Sequence, residues 1–125
     1  IALNIVKGVD FIFRQQNSKF EVVTSKNAHE SNFIIEGHIT AVGRASALGR
    51  WIFRNKKIYL KVEGRMLDRN TGKTILLFKD TQEGKYKIDN YQRLGEEVGL
   101  NIALFILSAE ESATQNYELD ALTVD

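Results

Sequence analysis

The sequence predicts an α+β domain: a mainly antiparallel sheet with an N-terminal and a C-terminal helix packed on one face. Apolar residues recur at helical spacing near both ends of the chain and at period two in its middle. The middle segments also carry polar residues on their second face, the pattern of antiparallel strands; strands buried on both sides read as continuous apolar runs.

The first helix is expected over residues 2–15, where Ala2, Ile5, Val6, Val9, Ile12 and Phe13 form an apolar stripe interrupted only by Gly8. Asn17-Ser18 ends it. Lys19 to Thr24 reads as a short strand and Ser25 to Asn32 as a polar connector. From Phe33 to Val42 the chain alternates, with Phe33, Ile35, Gly37, Ile39 and Ala41 on one side and Ile34, Glu36, His38 and Thr40 on the other. The pattern returns in Ile58, Leu60, Val62, Gly64 and Met66, and again from Thr74 to Asp80. A second helix is expected from an N-cap at Asp89 or Asn90 to about Ser112, with Tyr91, Leu94, Val98, Ile102, Phe105, Ile106 and Ala109 as its stripe. Its apolar middle is too short to span a bilayer. Gly95, Gly99 and Ala103 form a small ridge expected to dock on the inward strand glycines Gly37 and Gly64.

The 125 residues are 43% hydrophobic and 26% charged, which fits one domain over residues 1–125 that buries its own core. No cysteine is present, so disulfides and thiolate chemistry are excluded. The formal charge of +1 argues against a nucleic-acid partner held by bulk charge. Because the chain begins at Ile1, its natural N-terminus is expected to have been processed, trimmed or left out, and a signal peptide or lipid anchor would be lost with it.

Two motifs invite an enzymatic reading. Gly72-Lys73-Thr74 matches the end of a phosphate-binding loop, but that loop needs a glycine where Leu67 stands and a helix where the chain alternates as a strand. The Asp68 to Gly72 run resembles an aspartyl-phosphorylation site but has an extra residue and no parallel sheet to carry it. A hairpin turn explains both: Asp68 and Asn70 bond local backbone, and Gly72 takes a positive φ. Glu36, His38, Glu63 and Arg65 fall on the polar faces of strands expected to pair, where they could form an acid-base or metal cluster. With only two histidines in the chain, charges that neutralise one another are the expected reading. No catalytic or metal-binding residue and no cofactor is assigned.

The segment between Glu36 and Glu63 contains no acid but holds Arg44, Arg50, Arg54, Lys56, Lys57 and Lys61, interleaved with Trp51 and Phe53. A solvated loop, a protein contact anchored by Trp51 and arginines, and attachment to an anionic surface are all compatible with it. The residues chosen as partner-binding are Arg44, Arg50, Trp51, Phe53, Arg54 and Lys56.

Three stretches, "SNFIIEGHITAVGRASALGRW", "KKIYLKVEGRMLDRNTGKTILLFKD" and "YQRLGEEVGLNIALFI", together resemble a group of Gram-negative envelope lipoprotein domains of unknown function. That group is similar in fold to the lipoprotein subunit of the curli secretion channel and to the N-terminal domain of TolB. The resemblance covers roughly residues 30–107 and brings no catalytic residues; the long membrane-inserting segments of the curli channel have no counterpart here. It implies a non-enzymatic assembly or accessory subunit of an envelope complex such as secretion or export machinery. Such a subunit would be periplasmic, attached to the outer membrane through a missing lipid anchor, and would contact envelope proteins or copies of itself. A periplasmic module binding a small molecule or polysaccharide on the polar sheet face is the alternative.

Overall fold

The structure, a computed structural model, describes residues 1–23, 29–44 and 57–124, with side chains as far as residue 112. Its elements are α1 (Ala2–Gln15), β1 (Phe33–Arg44), β2 (Lys57–Asp68), β3 (Thr74–Lys85) and α2 (Tyr91–Val124). The strands form one antiparallel sheet in the order β1-β2-β3. This is the α+β class that the two periodicities predict.

Local chemistry sets the element ends. The α1 helix stops where Asn17 takes φ 51° and the Ser18 N–H donates back to the Phe13 carbonyl at 2.9 Å, a left-handed C-terminal cap. At the start of α2, Asn90 is the N-cap, its Oδ1 accepting from the Arg93 N–H at 2.8 Å. Asp89 instead accepts from the Lys85 N–H at 2.6 Å and pairs with Arg93. In the β2–β3 hairpin, Asp68 Oδ1 accepts from the N–H groups of Asn70 and Thr71 at 2.8 and 3.0 Å, and Gly72 sits at φ 71°. An L side chain is strained at that φ, so Gly72 serves the turn and Gly72-Lys73-Thr74 builds no phosphate loop.

The core lies between the sheet and α2. Ile58, Leu60, Val62 and Met66 of β2 and Phe78 of β3 meet Leu94, Val98, Ile102, Ala103 and Ile106 of α2, with Val9, Ile12 and Phe13 of α1 completing the cluster. Each fully buried Leu, Ile or Val contributes about 1.5–3 kcal/mol of transfer free energy. The two helices divide the work unequally: α2 lies against β2 and β3, whereas α1 lies against α2. A polar tie joins α2 to the sheet, Asn101 Nδ2 donating to Asp80 Oδ2 at 3.2 Å.

Several expectations are corrected. The glycine ridge of α2 does not meet the strand glycines. A Cβ on Gly99 would strike the Ile5 carbonyl and Gly8 Cα, and one on Gly8 would strike the backbone of Glu96 and Leu100. The ridge therefore lets two helix backbones touch, and Gly8, the apparent flaw in α1, is the matching hollow. Ile1 lies beside Gly95 and Ile5 beside Gly99, so the helices run in the same direction. Ala2, Val6 and Phe105, placed on the apolar stripes by spacing, are exposed, because each helix buries a narrower arc than its sequence offers. Residues 19–23 form no strand. Phe20 and Val22 turn inward, and Phe20 bridges the Phe13 and Phe33 rings at 5.4 and 6.1 Å, but the segment has no ladder partner among the described residues. The backbone of α2 continues to Val124, past the expected end near Ser112.

In the sheet, Gly37 stands directly opposite Gly64, and Glu36 opposite Arg65. Between Ile39 and Ala41 the register shifts by one residue. This bulge sends Ala41, expected on the inward face, to pair with Lys61, while Val42 takes the place across from Leu60.

Candidate functional site

Of the residues chosen for partner binding, Arg44 closes β1 with its guanidinium over the Tyr86 ring, 4.3 Å from the centroid. Stacking of this kind holds a cation in place at modest energy, about 0.5–1 kcal/mol where exposed. Arg50, Trp51, Phe53, Arg54 and Lys56 lie outside the described residues. The next cation along, Lys57, pairs with Glu83 at 3.5 Å across the β2–β3 ladder.

The strand alternation brings the other constellation together. On the sheet face away from α2, Arg65 Nε donates to Glu36 Oε1 at 2.5 Å and its Nη1 to Thr74 Oγ1 at 3.2 Å, and Lys79 pairs with Glu63 at 3.5 Å. The two ion pairs join cross-strand neighbours, placed by register alone. His38 faces Glu63 in the ladder but makes no hydrogen bond or ion pair among the described residues. Glu36, His38, Glu63, Arg65 and Leu77 line a shallow depression of about 430 Å³ on this face. Its charges are already matched and half in water, so it offers hydrogen-bonding groups rather than a desolvated, strongly polarised centre. Among the described residues no group of three or more His, Asp or Glu side chains is placed to hold a metal ion. A second hollow, about 610 Å³, lies along α1 and includes Lys7, Phe11 and Arg14; Arg14 is paired with Asp10 at 3.0 Å.

Reasoning from the sequence missed the exposed apolar residues. Phe33, Ile34, Ile35, Ile39 and Val42 of β1 are each 37–46% exposed, and on α1 Leu3, Val6 and Phe11 face solvent. The absence of lysine and proline from β1 was the available signal, because edge strands are ordinarily guarded by such residues. No helix among the described residues is long and apolar enough to cross a membrane.

No protein-family model matches the chain, and no curated protein matches it. Among solved structures it is similar to the lipoprotein GNA1162 from Neisseria meningitidis, with 15% sequence identity over 86% of this chain and 70% of that one and a TM-score of 0.40. A likeness that distant does not transfer function.

Proposed function

We propose that the chain is a non-enzymatic contact module, an assembly or accessory subunit of a Gram-negative envelope complex such as secretion or export machinery. The observation that supports it is the distribution of exposed apolar surface. Five large apolar side chains of β1 and three of α1 are open to solvent, whereas the polar sheet face neutralises its own charges. Apolar surface of this kind suits a protein partner. The envelope setting, the periplasmic location at the outer membrane and the further likeness to the curli lipoprotein and TolB follow from the family resemblance of residues 30–107. Arg44, Arg50, Trp51, Phe53, Arg54 and Lys56 are the proposed partner-binding residues, with Trp51 as the anchor.

The test is a pull-down from envelope extract with wild type, Trp51→Ala and a charge-neutralised Arg50/Arg54/Lys56 variant, run beside liposome flotation at low and high salt. Loss of a defined protein partner in Trp51→Ala is the expected result. Unchanged partners together with salt-sensitive flotation would reassign these residues to the membrane surface. The second reading, a module for a small molecule or polysaccharide, is favoured by the depression holding His38, which has no partner among the described residues. Saturable glycan binding in calorimetry, abolished by Arg65→Ala, would establish it.

A further inference from the structure

The two outer strands of the sheet are built differently. β3 carries Lys79, Asp80, Glu83 and Lys85 and exposes two large apolar residues, Ile75 and Leu77. β1 carries Glu36 and Arg44 as its only fully charged residues, exposes five large apolar ones, and among the described residues has a strand on one side only. An edge of that kind is a template for strand addition, since its outward N–H and C=O groups and its alternate side chains are both available.

What suits this edge is legible in β1 itself. We infer that two copies of this chain pair antiparallel through β1, about a two-fold axis at Gly37, to give one six-stranded sheet. With the axis there, Glu36 stands opposite His38 of the second copy and Ile35 opposite Ile39, symmetry repeats each pair, and the bulge at Thr40 lies just outside this central ladder. The carboxylate of Glu36 uses one oxygen for Arg65 and keeps acceptor capacity for the imidazole N–H of the second copy's His38, a side chain with no partner among the described residues. Ile35 and Ile39, 41% and 38% exposed, lie on the face shared with Met66 and Val62, so their pairing would extend the apolar surface beneath the helices. Moving the axis to Glu36 sets two carboxylates against each other. Moving it to His38 sets two imidazoles against each other and puts Glu36 opposite the bulged Thr40. The register centred on Gly37 places like with like on the apolar face and donor against acceptor on the polar one.

The inference rests on the reading of the domain as a contact module and names one partner. It is tested on the purified chain alone, so a missing envelope partner and a missing dimer are separate results. Sedimentation and light scattering should show a reversible dimer. Ile39→Lys, which aims a charge at the shared apolar face, should raise the dimer dissociation constant by about a hundredfold or more. Ile35→Lys is the second variant, and circular dichroism of each reports that it is folded. The register is read in this cysteine-free chain by mixing Glu36→Cys with His38→Cys. The mixture should form an intermolecular disulfide under mild oxidation, while each variant alone should not, because identical positions then sit on a diagonal beyond disulfide reach. A monomer at every concentration, including one whose edge captures an added peptide instead, would overturn the inference. So would a dimer indifferent to both lysines, or one crosslinked equally by the single variants.

Discussion

β1 and β2 are both twelve residues long, pair along their length and carry a glycine at matching positions, yet one is the floor of the core and the other is open. In β2, Ile58, Leu60, Val62 and Met66 are buried beneath α2, with Leu60 fully so. In β1 the equivalent residues Ile35, Ile39 and Val42 stay more than a third exposed. The alternation in the two segments is almost the same. What separates them is position in the sheet, because a strand with neighbours on both sides and a helix above loses solvent that an edge strand keeps. An apolar period-two pattern therefore specifies a face and leaves open whether anything within the same chain covers it.

The sharpest way to break this contrast is to truncate one side chain on each strand. Leu60→Ala should cost about 2–5 kcal/mol in denaturant unfolding because it leaves a cavity in a closed core. Ile39→Ala should cost well under half of that, measured below any dimer dissociation constant, because water already reaches the site. Equal costs would mean that β1 is as buried as β2 in solution.

The facing glycines give a second, smaller contrast. A Cβ on Gly64 would lie 2.5 Å from the Glu36 carbonyl and 2.6 Å from the Phe78 ring, while one on Gly37 would meet the Glu63 carbonyl at 2.9 Å. Gly64→Ala is thus expected to lower stability by about 1–3 kcal/mol through overpacking, and Gly37→Ala by less, since an edge strand can shift away. Reversal of that order in thermal melts would show that β1 is the more rigid strand.

Beyond the strands themselves, the turn that follows β2 should respond through backbone strain alone. With no atom near its Cβ position but a φ of 71°, Gly72→Ala should cost about 1 kcal/mol. Titration of wild type and variant with ATP should show no saturable heat; binding that Lys73→Ala removes would restore the nucleotide reading. The smallest effect is expected where β1 and β2 exchange charge. Glu36 and Arg65 are each about half exposed, so Glu36→Gln should change stability by no more than about 1 kcal/mol at low salt, and by less as salt rises. A larger loss would mark the polar face as a desolvated site in its own right.

Much of this is legible in the sequence alone. The Asp68 to Gly72 turn, the Asn90 cap, the Leu94, Val98, Ile102 and Ile106 stripe and the polar strand faces that carry Glu36 and Arg65 all follow from short-range rules, in which a side chain bonds backbone two or three residues away or a strand repeats every second residue. The same residues rule out a phosphate loop, because Leu67 and the strand after Thr74 cannot wrap an anion. The tertiary structure alone decided the long-range matters. Spacing shows that Gly95, Gly99 and Ala103 share a helix face but not that Gly8 of α1 lies against it, since helix–helix contact depends on two separated segments meeting. It likewise shows Phe20 and Val22 alternating but not that their segment lacks a ladder, and places Ala41 inward without the bulge that turns it out. Pairing, bulges and coverage are properties of what a segment meets across space, and a single strand's pattern holds no record of its neighbour.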